Sequence, residues 1–333
     1  MKSINQFKSL VSSNLFTEFI KSQRNEVIDI LNGKSNKLIL IVGPCSVHNY
    51  EQFIDYLDKF KLIKEKYESK ILFLVRTYVE KSRSTGHWRG YLNDPNLDNS
   101  CDLELGILNT RKLMYEMSKR KLAIATEILC PITCYYLRDF VTWSAIGARS
   151  CESQVNRIVS SDIEYSIGYK NDRNGNIQIP LEGINYSKNS HTFLNTNDDG
   201  MIESKTSNGN RNCHLILRGS LDKVNYKKED VNLAENMMEK FNVNTKIIID
   251  CSHDNSMRSK NPSIAHKNQK LVVYDVIEQI KNGNKSIGGL MIESNINEGK
   301  QSMEAKEYGV SITDACIDIE ETEMIIKYIY DNL

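Results

Sequence analysis

The sequence lacks the features that mark several classes of protein. Lys plus Arg and Asp plus Glu both number 43 among 333 residues, so the formal net charge is zero and no nucleic-acid or anionic-membrane partner is predicted. No stretch approaches the ~20 consecutive apolar residues of a membrane-spanning helix, and residues 1–23 have no uninterrupted apolar segment typical of a secretion signal. We therefore expect a cytoplasmic protein.

The eight cysteines also lack a recognisable framework. The closest pair, Cys130 and Cys134, does not belong to the paired pattern of a zinc finger, so we expect reduced thiols. What the chain does have is an ordinary composition, with 40% apolar and 26% charged residues, enough for a core of normal size. A length of 333 residues fits one α/β barrel with added segments.

Short runs rich in β-branched and aliphatic residues alternate with longer segments that carry apolar residues at helical spacing. This alternation predicts parallel strands joined by helices, in the α/β class. The predicted strands are residues 38–42, 71–75, 123–126, 145–148, 166–169, 215–217, 246–249 and 289–292. Predicted helices of an outer ring are residues 51–67, 102–120, 135–142 and 268–281. The expected fold is a (β/α)8 TIM barrel.

Two regions fall outside this repeat. Residues 1–37 form an amphipathic N-terminal extension, and residues 38–333 would form the catalytic barrel. Within residues 177–212, a strand-like run at 191–196 precedes a polar, turn-rich stretch, which predicts an inserted β-hairpin around residues 191–212. Periodicity does not decide whether residues 191–196 or 215–217 form the sixth barrel strand.

Positively charged side chains recur at the carboxyl ends of the predicted strands, where a barrel places its chemistry. Six cations are expected to meet at the barrel mouth: Arg76, Lys81, Arg83, Arg149, Lys170 and Arg218. Any one of them could form a surface salt bridge, but the whole set would repel itself unless polyanionic ligands bind there. The paired N–H donors of an arginine guanidinium bind phosphate and carboxylate oxygens well, so a phosphorylated, carboxylated substrate is predicted.

A second group combines one sulfur, one imidazole and two carboxylates. Its members are Cys45, His253, Glu293 and Asp314. Such a set suits one borderline divalent ion such as manganese, iron, cobalt or zinc, and disfavours magnesium or calcium. Spacing alone does not identify the site, because a lone cysteine is more often a small buried apolar residue and a lone histidine a hydrogen-bonded loop group.

Several motifs then occur in one order along residues 38–315. They are Gly43-Pro44-Cys45-Ser46-Val47-His48, Arg76-Thr77-Tyr78-Val79-Glu80-Lys81, Leu92-Asn93-Asp94-Pro95, Gly147-Ala148-Arg149 with Glu152-Ser153-Gln154, Leu217-Arg218-Gly219, Ser252-His253 and Ser311-Ile312-Thr313-Asp314-Ala315. Through these motifs the sequence resembles the microbial class I 3-deoxy-D-arabino-heptulosonate-7-phosphate (DAHP) synthases, in their feedback-regulated subgroup.

The resemblance implies an enzyme that condenses phosphoenolpyruvate with D-erythrose 4-phosphate and water, the first step of the shikimate pathway of aromatic amino acid biosynthesis. It implies that Cys45, His253, Glu293 and Asp314 bind one divalent metal ion, and that Lys81, His253 and Cys45 are catalytic. It further implies that phosphoenolpyruvate is held by Arg76, Lys81, Arg149, Lys170 and Arg218, and that Arg83 helps to bind erythrose 4-phosphate. Family members are homodimers or homotetramers built through the extension, which is expected to have an oligomeric or regulatory role.

The chain departs from the family pattern at a few positions. Ser82 stands where the family has a proline, while His87 and Asp172 stand where it has glycines. At the family's effector cavity the resemblance places Cys134, Glu164 and Asn195, where proline or small hydroxyl residues are usual. A glutamate there would repel an effector carboxylate, so we expect weak or absent feedback inhibition by an aromatic amino acid.

Three alternatives stay open from the sequence. The nearest is the related barrel synthase that joins phosphoenolpyruvate to arabinose 5-phosphate, although the Lys81-Ser82-Arg83-Ser84 loop and the extension favour the four-carbon sugar phosphate. A non-catalytic regulatory or binding paralogue is compatible with the loop departures but not favoured by the intact metal set. A plain structural barrel would leave the clustered cations unexplained.

Overall fold

The computed structural model describes residues 1–256, 262–305 and 307–333. Within these residues the chain forms ten strands. They are β1 (Leu38–Gly43), β2 (Ile71–Arg76), β3 (Ala123–Glu127), β4 (Trp143–Ile146), β5 (Ser166–Lys170), β6 (Thr192–Thr196), β7 (Ile202–Thr206), β8 (Cys213–Leu217), β9 (Ile247–Asp250) and β10 (Ile287–Glu293).

Eight of these strands close into a parallel barrel in the order β1-β10-β9-β8-β5-β4-β3-β2. The first strand pairs with both β2 and β10, so no edge is left open. The predicted (β/α)8 barrel is therefore confirmed, and its sixth strand is β8 at Cys213–Leu217. The remaining two strands, β6 and β7, form the predicted antiparallel hairpin, with Thr192 opposite Thr206.

Helices connect the barrel strands and precede them. They are α1 (Ile4–Leu10), α2 (Thr17–Leu31), α3 (Tyr50–Tyr67), α4 (Leu103–Lys119), α5 (Pro131–Leu137), α6 (Gln154–Asp162), α7 (Gln178–Ser187), α8 (Lys228–Lys240), α9 (His253–Ser256), α10 (Gln269–Lys281) and α11 (Ile319–Asn332). Short 3₁₀ segments lie at Asn14–Phe16 and Pro262–Asn268. None of the helices in the described part of the chain is both long and apolar enough to cross a membrane.

Most predicted bounds agree with the structure to within two residues, and three predictions need correction. The fourth strand, predicted at residues 145–148, is Trp143–Ile146, so Ala148 lies in the loop that follows. The helix predicted at residues 135–142 is Pro131–Leu137, because a proline at the first helical position starts the helix earlier. Residues 177–212 were predicted to lie outside the repeat, but they contain α7, a barrel helix that tolerates a proline in its first turn.

The N-terminal end of the barrel is closed by α2. Its residues Val27, Ile30 and Leu31 are fully buried and pack with the apolar side chains that fill the barrel interior, such as Ile39 and Trp143. The backbone N–H of residue 246, just before β9, donates to the carbonyl of Leu31 at 2.8 Å. This end is therefore sealed, and the carboxyl ends of the strands are left to form a site.

Candidate active site

A cavity of about 300 Å³ opens at the carboxyl ends of the barrel strands. The structure brings all six predicted cations to its lining, together with two members of the predicted metal group: Arg76, Lys81, Arg83, Arg149, Lys170, Arg218, His253 and Asp314. The other two members, Cys45 and Glu293, are buried at the strand ends beside them. The barrel topology therefore assembles residues that lie as far apart in sequence as positions 45 and 314.

Three of the predicted metal ligands meet closely. The Cys45 sulfur and carboxylate oxygens of Glu293 and Asp314 all lie within 4.8 Å of one another, an arrangement that could hold a metal ion. The thiol of Cys45 lies 3.2 Å from Asp314 Oδ2. His253 is outside this group of three but next to it, with Nε2 3.6 Å from Glu293 Oε1. One thiol and two carboxylates, with an imidazole adjacent, fit a borderline divalent ion.

The protonation of Cys45 is set by its surroundings. Burial raises the pKa of the Cys45 thiol to about 11, the Glu293 charge adds to this effect, and Lys81 opposes it. Lys81 Nζ donates to the sulfur at 3.1 Å and to the Cys45 carbonyl at 3.0 Å. Without a metal ion the thiol is therefore protonated at neutral pH, and a metal must displace that proton to bind sulfur.

Arg76 is fully buried beneath the cavity. Its Nη2 donates to Glu293 Oε1 at 2.6 Å, its Nε donates to the Pro44 carbonyl at 3.1 Å, and its guanidinium carbon lies 3.7 Å from the centre of the Tyr78 ring. Burial alone would lower the pKa of Arg76, but the charge of Glu293 raises it above its ordinary value. The guanidinium is therefore permanently charged and held in one orientation.

Asp250, at the end of β9, connects a predicted substrate residue to a predicted metal ligand. Its Oδ2 accepts from Lys170 Nζ at 2.8 Å and lies 2.9 Å from His253 Nδ1. Burial favours the acid form, yet His253 and Lys170 hold the pKa of Asp250 well below its usual range. With Nδ1 directed at this carboxylate, the opposite ring nitrogen of His253 is left to face the cluster, as in many metal sites.

Three outer cations differ in their pairing. Arg218 forms an ion pair with Asp254, whereas Arg149 Nε donates only to the Ser84 hydroxyl, at 3.0 Å, and Arg83 Nε to a backbone carbonyl. Among the residues that the structure describes, neither Arg149 nor Arg83 has a carboxylate within ion-pair distance. Burial and nearby positive charges lower the pKa of Arg149. This part of the cavity carries uncompensated positive charge and suits an anion.

The structure shows the local conformation at two of the departures from the family pattern. The Oδ1 atom of Asp172 accepts from the backbone N–H groups of Asn174 and Asn176, at 3.0 and 2.7 Å, so its negative charge is used inside its own turn. His87, which lines the cavity, has a φ of +155°, a backbone conformation that favours glycine.

Sequence reasoning missed several cavity residues. Asp250 and Asp254 flank the predicted ligand His253 but were not recognised as partners of cations. Glu127 and Arg173 also line the cavity. A β-carbon at Gly147 would come within 2.1 Å of Glu127 Oε1, so the Glu127 carboxylate packs against this glycine. Their position in the sequence could have revealed them, since Glu127 and Asp250 end β3 and β9, and Arg173 and Asp254 lie just after β5 and β9.

The fold and the site together define a class: a (β/α)8-barrel enzyme with an anion-binding cavity beside a sulfur and carboxylate cluster. Residues 14–327 match the sequence model of the DAHP synthetase I family. The chain belongs to this family, which confirms the assignment made from its motifs.

Relatives and a solved structure agree with this assignment. The Tyr-sensitive phospho-2-dehydro-3-deoxyheptonate aldolase of Escherichia coli is 38% identical, covering 94% of this chain and 87% of that protein. The phenylalanine-inhibited enzyme of Saccharomyces cerevisiae is 36% identical, covering 95% and 86%. The structure of the aldolase of that name from Francisella tularensis superposes with a TM-score of 0.95 at 36% identity, covering 100% of this chain and 96% of the other.

Proposed function

We propose that this protein condenses phosphoenolpyruvate with D-erythrose 4-phosphate and water to give DAHP and inorganic phosphate, the first step of the shikimate pathway, in the cytoplasm. The observation that carries the proposal is the meeting of six cations with a thiol and two carboxylates at one barrel mouth. Both substrates are phosphate monoesters, and one also carries a carboxylate, so their charges complement this cavity.

The positions of the cations suggest how the substrates bind. Arg76 and Lys81 lie next to Cys45 and would hold the carboxylate of phosphoenolpyruvate. Its phosphate would be bound by the buried Lys170 together with Arg149 and Arg218, which lie further out in the cavity. Arg83, from the loop after β2, would bind the phosphate of erythrose 4-phosphate. Because the guanidinium of Arg76 is already fixed by Glu293, little side-chain entropy is lost on binding.

Cys45, His253, Glu293 and Asp314 would hold one divalent ion, of which manganese, iron, cobalt and zinc suit these donors best. When bound, such an ion supplies a Lewis acid that polarises the aldehyde carbonyl. The Asp250 carboxylate, which contacts His253 Nδ1, keeps the imidazole ring oriented towards the metal site.

In the reaction, C3 of phosphoenolpyruvate forms a bond to the aldehyde carbon, water adds at C2, and the phosphate leaves with its bridging oxygen by C–O cleavage. Lys81, whose Nζ lies 3.1 Å from the Cys45 sulfur, is placed to give a proton to the aldehyde oxygen as it gains charge. His253 could carry a proton as well as bind the metal. The outer cations stabilise the departing phosphate.

The proposal is tested by following the ultraviolet absorbance of phosphoenolpyruvate. We expect consumption that requires erythrose 4-phosphate, is present in the manganese-loaded protein, and is abolished by a chelator or by Cys45→Ala. Cys101→Ala, which alters an exposed cysteine remote from the cluster, is the matched control and should remain active. Consumption with arabinose 5-phosphate instead would identify the related synthase, and no consumption with any metal would favour a binding protein.

We propose further that an aromatic amino acid inhibits this enzyme weakly or not at all. Relatives are named for inhibition by tyrosine or phenylalanine. In this chain Cys134 is buried. The hydroxyl of the neighbouring Tyr135 donates a hydrogen bond to Asp162. Asp162 also forms a 2.5 Å ion pair with Lys205 of the hairpin. Glu164, which the resemblance assigns to the effector site, lines a cavity together with Asp162, and its charge would repel an effector carboxylate. Clear inhibition of the purified enzyme by sub-millimolar Phe, Tyr or Trp would contradict the proposal.

We also propose a homodimer or homotetramer in which the hairpin contributes to the interface. The outward face of the hairpin consists of Thr192, Leu194, Thr196, Ile202, Ser204 and Thr206. It carries no charge, and Leu194 and Ile202 are 80% and 78% exposed. An uncharged face meets its own copy without repulsion between like charges, and covering it would remove two large apolar side chains from water.

A further inference from the structure

Arg173 lies in the loop that follows β5 and lines the same cavity as the predicted substrate residues. The family motifs assign it no role. In the part of the chain that the structure describes, its guanidinium forms no salt bridge and no hydrogen bond, and the residue is exposed to solvent. An arginine at the wall of an anion-binding cavity with no partner of its own is available for a ligand.

The loop backbone is fixed on both sides of Arg173. Before it, Asp172 Oδ1 accepts from the N–H groups of Asn174 and Asn176 and closes a tight turn. At Arg173 itself, the backbone carbonyl accepts from the N–H of Leu221 at 3.0 Å, which ties this loop to the loop after β8. The position of the Arg173 backbone is therefore determined, and only its side chain is free to adjust to a ligand.

Arg173 and Arg218 both lie close enough to Arg149 for their positive charges to act on it. Burial lowers the pKa of Arg149, and Arg173 and Arg218 lower it further. Among the described residues, Arg218 is the one of these three arginines that is paired with a carboxylate, that of Asp254. Glu127 and Asp314 offset only part of the repulsion from these positive charges, since the pKa of Arg149 remains below its ordinary value. A phosphate dianion offers several acceptor oxygens to such a set and would offset the repulsion.

We propose that Arg173 is the third guanidinium of the phosphate subsite formed with Arg149 and Arg218. It binds the phosphate group of phosphoenolpyruvate and, after C–O cleavage, the inorganic phosphate that remains. The identity of the substrate rests on the proposed function, whereas the binding of phosphate at this subsite does not. Arg173 acts in binding, so its removal weakens affinity much more than it slows turnover.

The test compares Arg173→Gln with Arg211→Gln, which removes one positive charge from an exposed position just before β8, at the opposite end of the barrel. Calorimetric titration with inorganic phosphate alone measures the subsite without turnover. We expect Arg173→Gln to weaken phosphate binding about tenfold, as for the loss of one charge-assisted hydrogen bond, and Arg211→Gln to leave it unchanged. Arg173→Lys should restore part of the affinity, because lysine keeps the positive charge but lacks the paired N–H donors of a guanidinium.

Steady-state kinetics then separate the two substrate phosphates. The proposal expects the KM for phosphoenolpyruvate to rise about tenfold in Arg173→Gln, with kcat and the KM for erythrose 4-phosphate changed by less than about twofold. A rise in the KM for the aldose alone would overturn the assignment to this subsite. Unchanged phosphate affinity in Arg173→Gln would overturn the proposal altogether. An enzyme that binds phosphate through Arg173 but consumes no substrate would contradict only the proposed function.

Discussion

Arg76 Nη2 lies 2.6 Å from Glu293 Oε1, and both side chains are buried at the floor of the cavity. The first residue is a proposed ligand of the substrate carboxylate, and the second a proposed ligand of the metal. Their ion pair therefore joins the two halves of the site. Since Arg76 cannot lose its charge, any change at Glu293 affects the stability of the fold as well as metal binding.

Replacing Glu293 by Gln should destabilise the protein even when no metal is present. The substitution leaves the buried guanidinium of Arg76 without its counter-charge, and breaking one side of a buried pair costs about 3–5 kcal/mol. Urea unfolding of the metal-free protein measures this. The control is Asp314→Asn, since Asp314 is partly exposed and its buried neighbour at 3.2 Å is the Cys45 thiol, which is not a cation. Equal stability of the two variants would show that Glu293 acts only through the metal.

Metal binding should release a proton from Cys45. Because burial raises the pKa of this thiol to about 11, it is protonated at about pH 8 and must lose its proton when sulfur binds the ion. Calorimetric titration with manganese in two buffers of different ionisation enthalpy should give close to one proton per ion. Cys316→Ala, which alters the neighbouring buried thiol, should keep this release. Identical heats in both buffers would exclude thiolate binding.

Acid should destabilise the fold through His214, inside the barrel. Trp143 Nε1 donates to His214 Nε2 at 2.8 Å, and burial lowers the pKa of His214 from 6.5 to about 4. Because the unfolded chain takes up this proton first, stability is lost as the pH falls from 6.5 towards 4, by up to about 3 kcal/mol.

His214→Gln keeps an acceptor for Trp143 but does not titrate. The free energy of unfolding, measured in urea between about pH 7 and pH 4, should therefore fall less steeply in this variant than in the parent protein. Parallel curves would mean that His214 contributes nothing to the acid sensitivity.

Charges on the outer face of the hairpin should disrupt the proposed oligomer. Leu194→Lys together with Ile202→Lys places two positive charges on each copy of a face that would meet itself, so like charges repel across the interface. Size-exclusion chromatography with light scattering should show a smaller species. Leu233→Lys, on an exposed position of α8, is the control. An unchanged mass for the hairpin variant would place the interface elsewhere.

Most of the barrel could be predicted from the sequence, because buried parallel strands appear as apolar runs, as at β1 and β10. The errors arose where local signals competed. Pro131 starts α5, but the apolar residues Phe140 and Val141 extended the predicted helix past its end at Leu137. The helix α7 was not predicted because it contains Pro180 and Gly183, which have low helix propensity. Tertiary packing of its buried side stabilises it nevertheless. The sixth strand could be placed only by its pairing with β5 and β9.

The site was predictable only in part. The cations predicted from strand-end positions do line the cavity, but no pattern in the sequence indicates that Asp250 pairs with Lys170 or that Glu293 pairs with Arg76. Lys170 and Asp250 are 80 positions apart in the sequence, and Arg76 and Glu293 are 217 positions apart. Their distances depend on barrel closure. The argument from mutual repulsion therefore overestimated the uncompensated charge, which is concentrated at the outer wall, around Arg149.

The seal that α2 forms at the N-terminal end of the barrel has a consequence for synthesis in the cell. Val27, Ile30 and Leu31 leave the ribosome early, whereas β10, which completes the barrel that they cover, follows about 250 residues later. At ordinary rates of translation this apolar stripe stays uncovered for roughly 10 to 50 seconds. The helix that keeps water out of the finished barrel is thus an exposed, aggregation-prone apolar surface on the nascent chain, and this surface is where a chaperone would bind.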